Sequence, residues 1–173
     1  MLTLLLQRQF IPYTVRSYIP QGQDQFTATL CSNGYRVGKV TVTKDPEIHV
    51  AAADDVTMLL EFTEDQWQMD FDQAVKKLML AKRIPSEQMH HFVVDMILDM
   101  VEAHREDKKI HDLVRRGHVV YRLKSDVDND YHVLEEVFTP ELAAQLRKTV
   151  GELSWIANEE IQSKRTGSLP TIH

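Results

Sequence analysis

His91, Asp95, Asp99, Glu102 and Glu106 recur at intervals of three and four residues within the stretch 86–106. Residues so spaced share one face of a helix, and carboxylates on one face can hold a divalent cation whose other ligands come from a substrate phosphate. Asp95, Asp99 and Glu102 are the trio that would do this, as the metal centre of a phosphohydrolase. Such centres ordinarily oppose a second acidic helix, and no other segment supplies one. The plainer reading is the solvated edge of an otherwise apolar helix.

Three further patterns point to metals and fall short of them. His104, Asp107 and His111 lie at i, i+3 and i+7, a spacing compatible with ligation. Glu87-x-x-His90 has the spacing of di-iron bundles, but those need the motif twice plus two further glutamates, and here it occurs once. His90 reads instead as a hydrogen-bonded core residue. Asp126-x-Asp128-x-Asp130 opens like a calcium loop, yet Tyr131 stands where the sharp turn needs glycine and Val137 where the bidentate glutamate belongs. An acidic hairpin loop is the simpler account. Cys31, the single cysteine, adjoins a turn and has no assignable base, so it reads as a small buried hydrophobe. No phosphate-binding glycine loop and no nucleophile elbow occurs. No catalytic residue and no cofactor is expected, and the chain is more simply read as a binding protein than as an enzyme.

A different chemistry is suggested by the basic amino-terminal part. Residues 1–44 carry Arg8, Arg16, Arg36, Lys39 and Lys44 against Asp24 alone, a local charge of +4 within a chain of net charge −6. Arg16 and Tyr18, two apart in a strand, would share a face, with Tyr35 and Arg36 nearby on another strand. Cations and aromatics on an open sheet can neutralise phosphates and stack single-stranded bases. Nucleic-acid binding through Arg16, Tyr18, Tyr35 and Arg36 is therefore an alternative function, although aromatics on small sheets are more often core. Paired cations elsewhere, such as Lys82-Arg83 and Arg115-Arg116, fall at expected helix ends, where they complement the helix dipole.

These side chains need elements to hold them. Two-residue alternation over 10–19, and strand-like stretches at 26–31 and 35–43 around Asn33-Gly34, predict an antiparallel sheet, since Asn-Gly supplies the positive-φ pair of a type I′ turn. A further strand is expected at 57–62. Thr63-Glu64-Asp65-Gln66 is a capping-box pattern, and Trp67, Phe71, Ala74, Val75, Leu78 and Met79 then follow helical spacing. A second helix begins near Ser86, and the helical pattern stops at Gly117. Stretches 118–124 and 131–137 read as a hairpin. Thr139-Pro140 opens a last helix that Leu142, Leu146, Val150, Leu153, Ile156 and Ala157 carry towards Gln162.

The expected fold class is α+β: an amino-terminal antiparallel sheet, central helices, a short hairpin and a carboxy-terminal helix. One domain spans 1–165, with a β-rich part to 62, a helical part 63–117 and the hairpin plus last helix 118–165; 166–173 reads as a flexible tail. The 173 residues, 43% of them hydrophobic, suffice for a core without staples. The apolar run 2–6 is too short for a bilayer, and no stretch approaches twenty uncharged apolar residues, so a cytoplasmic protein with no membrane contact is expected.

The favoured function follows from the second helix. Met89, His90, Phe92, Val93, Met96, Ile97, Met100 and Val101 cover most of its circumference, more than one small sheet would bury. The 140–162 helix, a second copy or a partner would cover the excess; Met89, Met96, Ile97, Met100 and Val101 are the expected interface for a protein partner or a second copy, and the chain an inhibitor, adaptor or small regulatory factor.

Overall fold

A computed structural model describes residues 11–22, 25–44, 56–126, 130–150 and 152–166. The architecture is α+β, as the sequence predicts, and the chain divides into two compact units, Met1–Arg105 and Glu106–His173. The expected tail lies outside the described residues except for Thr166.

The first unit opens with a four-stranded antiparallel meander in the order β1-β2-β3-β4: β1 Tyr13–Pro20, β2 Gln25–Ser32, β3 Tyr35–Lys44 and β4 Val56–Phe62. Asn33 (φ 49°) and Gly34 (φ 88°) form the expected β2–β3 turn. Register places Val15, Leu30, Gly38 and Phe62 in one row across the sheet, with Ala28, Val40 and Leu60 in the next and Phe26, Val42 and Met58 beyond. These rows form the inner face. Helix α1, Asp65–Lys82, and helix α2, Met89–Arg115, join it in one core, with a short 3-10 turn, Ser86–Gln88, between them. Phe71 is central: Tyr13 meets it edge-on at 5.1 Å and Phe62 packs at 5.4 Å. Burial within this core pushes the Tyr13 hydroxyl above its ordinary pKa, with Asp70 and Asp72 adding to the effect.

The start of α1 and the place of His90 differ from the sequence reading. The capping box does not form. Thr63 instead reaches back to β3, where its Oγ1 (3.1 Å) and its N–H (2.9 Å) both donate to the Val37 carbonyl. Glu64 is the N-cap of α1 and makes no side-chain cap, while Gln66 Nε2 donates to Asp70 at 2.8 Å. Thr63 thus commits both its donors to Val37, the extra residue of a β-bulge opposite Leu30 and Cys31, and does not cap the helix. His90 is the second difference: it is exposed, with its ring edge-on to His91 at 5.9 Å, and is no part of the core.

Gly38 leaves no room for a side chain against β4. A Cβ there would stand 2.7 Å from the Glu61 carbonyl oxygen, backbone that cannot yield without parting the strands. Gly38→Ala is therefore expected to cost about 1–3 kcal/mol, the usual penalty of overpacking, measured as a lower urea midpoint.

In the second unit α2 ends in a Schellman arrangement. Gly117 adopts φ 95°, its N–H donates to Val114 O (3.0 Å), and His118 N–H donates to Leu113 O (3.1 Å). Strand β5, Val119–Leu123, is then flanked by β6, His132–Leu134, and β7, Leu153–Ile156, both antiparallel to it. Helix α3, Pro140–Thr149, starts as expected, with Thr139 Oγ1 accepting from Leu142 N–H at 3.1 Å. It does not run on to Gln162. Gly151 interrupts the sequence, Leu153–Ile156 pairs with β5, and helix α4, Ala157–Thr166, follows. Among the described residues of this unit one polar side chain is buried between strand and helix. Asn158, 2% exposed, accepts from Val120 N–H through Oδ1 and donates to His118 O through Nδ2, both at 3.0 Å.

Candidate functional site

The methionine-rich helix turns its expected interface inwards. Met96 (1% exposed), Ile97 (0%), Met100 (8%) and Val101 (4%) all belong to the core of the first unit, and the half-buried Met89 packs against that core. The expectation that this face lacks a cover within one chain is thereby corrected. The reason is the second cover: α1 lies in the same core as the sheet, and Lys82, near its end, holds its ammonium 5.6 Å from the Phe92 ring.

The acidic stripe faces solvent at Asp95, Asp99 and Glu102. Glu102 pairs with Arg105 at 3.1 Å, Glu106 pairs with Lys109, and Asp112 pairs with Arg115 at 2.8 Å, each one turn along α2. Among the described residues no three His, Cys, Asp or Glu side chains converge on a metal position. Neither the Asp95, Asp99, Glu102 set nor the His104, Asp107, His111 set is brought together.

The basic sheet is rearranged by one residue. Ser17 adopts φ 55°, and the register slips between Arg16 and Ile19, so that Ser17 and Tyr18 together oppose a single residue of β2. Side-chain alternation changes phase at that point. Tyr18, expected beside Arg16, lies on the inner side instead, 5.1 Å from Phe26 and 5.3 Å below the Arg105 guanidinium. Ile19 takes its place on the other face. Nothing in side-chain type announces this exchange, which lives in the backbone.

The outer face is therefore built from a different set. One row reads Arg16, Thr29, Lys39, Glu61, and the next reads Ile19, Thr27, Thr41, Leu59. A third contains Thr14, Cys31 and Arg36. Of these residues Thr27 and Cys31 are buried, Thr29 and Thr41 half-buried and the others exposed. Ile19 is 56% exposed and Leu59 55%, large apolar side chains in water at the two edges of a threonine row. Lys39 approaches Glu61 at 4.0 Å, whereas Arg16 and Arg36 have no ion-pair partner among the described residues. Tyr35 is exposed at the adjoining turn. Cys31 is buried, as expected for a small hydrophobe. Leu59 was legible in advance, since Val56, Met58, Leu60 and Phe62 claim the other phase of β4; Ile19 was not.

Among the described residues of the second unit, a polar cluster lies at the β5–β6 hairpin. Asp126 Oδ2 accepts from Leu123 N–H at 2.7 Å, and Oδ1 lies 3.2 Å from His132 Nε2, whose ring stacks on Tyr121 at 5.2 Å. The Leu123 N–H, followed by His132, holds the Asp126 carboxyl below its usual range. Arg122 Nε donates to Asp130 O at 2.6 Å across the same hairpin. This is an acidic loop tied to its own backbone; Asp128 lies outside the described residues. No helix among the described residues is long and apolar enough to cross a membrane. The chain matches no protein-family model, no curated protein and no solved structure.

Proposed function

We propose that this chain is a non-enzymatic, cytoplasmic protein-binding factor whose binding surface is the outer face of the β1–β4 sheet. The observation that supports it is the exposure of Ile19 and Leu59 on the side of the sheet away from the core. Large side chains left in water at both edges of a flat polar row are suited to anchoring a partner, because burying them on association returns the hydrophobic free energy that folding leaves unused. Arg16, Arg36 and Lys39 surround them, so the partner's surface carries carboxylates around an apolar centre. The cations also favour the nucleic-acid reading, but with Tyr18 turned inwards only Tyr35 remains to stack a base.

The test compares the whole chain with two double variants, Ile19→Glu with Leu59→Glu and Arg16→Glu with Arg36→Glu, all at exposed positions. Each protein is immobilised, exposed to extract of its native host, and its retained proteins are quantified by mass spectrometry. Proteins held by the wild type are expected to fall at least about tenfold with both variants, while thermal melts stay within a few degrees. Equal retention by all three removes the sheet face from consideration. Anisotropy with short RNA and single-stranded DNA at two salt concentrations separates the readings: tight, salt-dependent binding lost in Arg16→Glu with Arg36→Glu favours nucleic acid over protein.

A further inference from the structure

Helix α1 exposes a second apolar pair, far from the sheet face in composition and arrangement. Leu80 is 80% exposed and Met69 55%. They are eleven residues apart, three turns or about 16 Å along one stripe that also carries Gln73 and Lys76. The opposite side of α1 holds Phe71, Val75 and Leu78 in the core, so this stripe is the outermost line of the helix. Its charges are segregated. Asp65, Asp70 and Asp72 lie in the first half, and Lys76, Lys77 and Arg83 in or just beyond the second. Among the described residues Asp65, Asp72, Lys76, Lys77 and Arg83 have no ion-pair partner, although Asp72 and Lys76 are one turn apart.

We propose that α1 is the seam of a homodimer, in which two copies of the chain pair through antiparallel α1 helices. The sequence of this helix is complementary to itself when reversed. Setting Met69 of one copy against Leu80 of the other fixes the register, because the second such contact then follows by two-fold symmetry. In that register Asp65 comes level with Arg83 of the other copy, and Asp72 with Lys76 and Lys77. In an antiparallel pair the same flank of each helix meets its counterpart. Asp65, Asp72, Lys76 and Arg83 fall on one flank, within about 40° of one another on a 100° wheel, and Asp70 and Lys77 share the other. Each of the three aspartates therefore meets a cation. A parallel pairing would set like charges together, which excludes it. This argument uses none of the residues of the sheet face and stands independently of it.

One 18-residue helix gives a seam at the small end of stable interfaces. The dimer is accordingly weak and sensitive to salt, since much of its specificity comes from charges at the rim. Sedimentation equilibrium of the full chain, from micromolar to submillimolar concentration, reads the mass directly. The wild type is expected to rise from 20.0 kDa towards twice that value at low salt, and to dissociate at about 1 M salt. Two variants test the register: Lys76→Glu with Lys77→Glu and Arg83→Glu, and Asp65→Lys with Asp72→Lys. Each alone is expected to weaken association at least about tenfold, and an equimolar mixture of the two to restore it as a heterodimer. Leu80→Arg, at a position too exposed to threaten folding, is expected to leave a monomer. A wild type that stays monomeric throughout overturns the proposal. So does a dimer that Leu80→Arg leaves intact, or a mixture of folded charge variants that does not associate.

Discussion

Met96→Asp is expected to unfold the first unit. Met96 is 1% exposed and is surrounded by the core that also contains Ile97, Val94, Phe71 and the inner rows of the sheet. Loss of the thioether packing costs about 2–5 kcal/mol, as for other large core side chains. Burial of an unpaired carboxylate adds several kcal/mol more. The sum rivals the entire ~5–15 kcal/mol by which a domain of this kind is stable. Val101→Asp, at 4% exposure, should behave alike. Circular dichroism and light scattering separate this from an interface effect. A residue of a subunit interface would give a folded protein of lower mass, whereas a core residue gives an expanded chain. A folded Met96→Asp variant with an unchanged urea midpoint would show that the methionines are not core after all.

Asn158→Ala is expected to destabilise the second unit strongly. The carboxamide satisfies one buried donor, Val120 N–H, and one acceptor, His118 O, where β5 leaves the end of α2. Truncation leaves both without a protein partner, at about 1–3 kcal/mol for each group, or about 2–6 kcal/mol together. Asn158→Asp sharpens the test. The carboxylate still accepts from Val120 but has no proton for His118, and it places a charge where Asn158 is 2% exposed. Both variants should lower the urea midpoint, and both should accelerate exchange of the Val120 amide. A Val120 amide that exchanges no faster in Asn158→Ala would mean that the bond contributes nothing to holding α4 against β5.

What could be read in advance was the chemistry of local turns and caps. Asn33-Gly34, Thr139-Pro140 and Gly117 each impose a backbone geometry that no neighbour can overrule, and all three occur as expected. What could not be read was decided by distant partners. Thr63 had a perfectly good helix to cap and was taken by a carbonyl 26 residues earlier. Leu153 and Ile156 continue a helical pattern on paper, yet β5 offered them a ladder, and a broken helix resulted. The apolar girth of α2 was read correctly as a need for cover. Its supplier was not, because hydrophobic periodicity says how much surface must be hidden and never which element will hide it. For the candidate surface, Arg16 and Arg36 were legible and Tyr18 was not, owing to one bulge.

That bulge also bears on how this strand can change over time. In a regular strand, a substitution at position 18 would alter the outer side and one at position 19 the interior. With Ser17 in the left-handed region the assignments are exchanged from that point on, and the side chains themselves need not differ. A single torsion thus acts as a frame shift without any insertion in the gene: what the strand presents to the outside is written in the dihedral of a serine. Mutations that relax Ser17 would exchange the guanidinium-capped tyrosine for the isoleucine in one step.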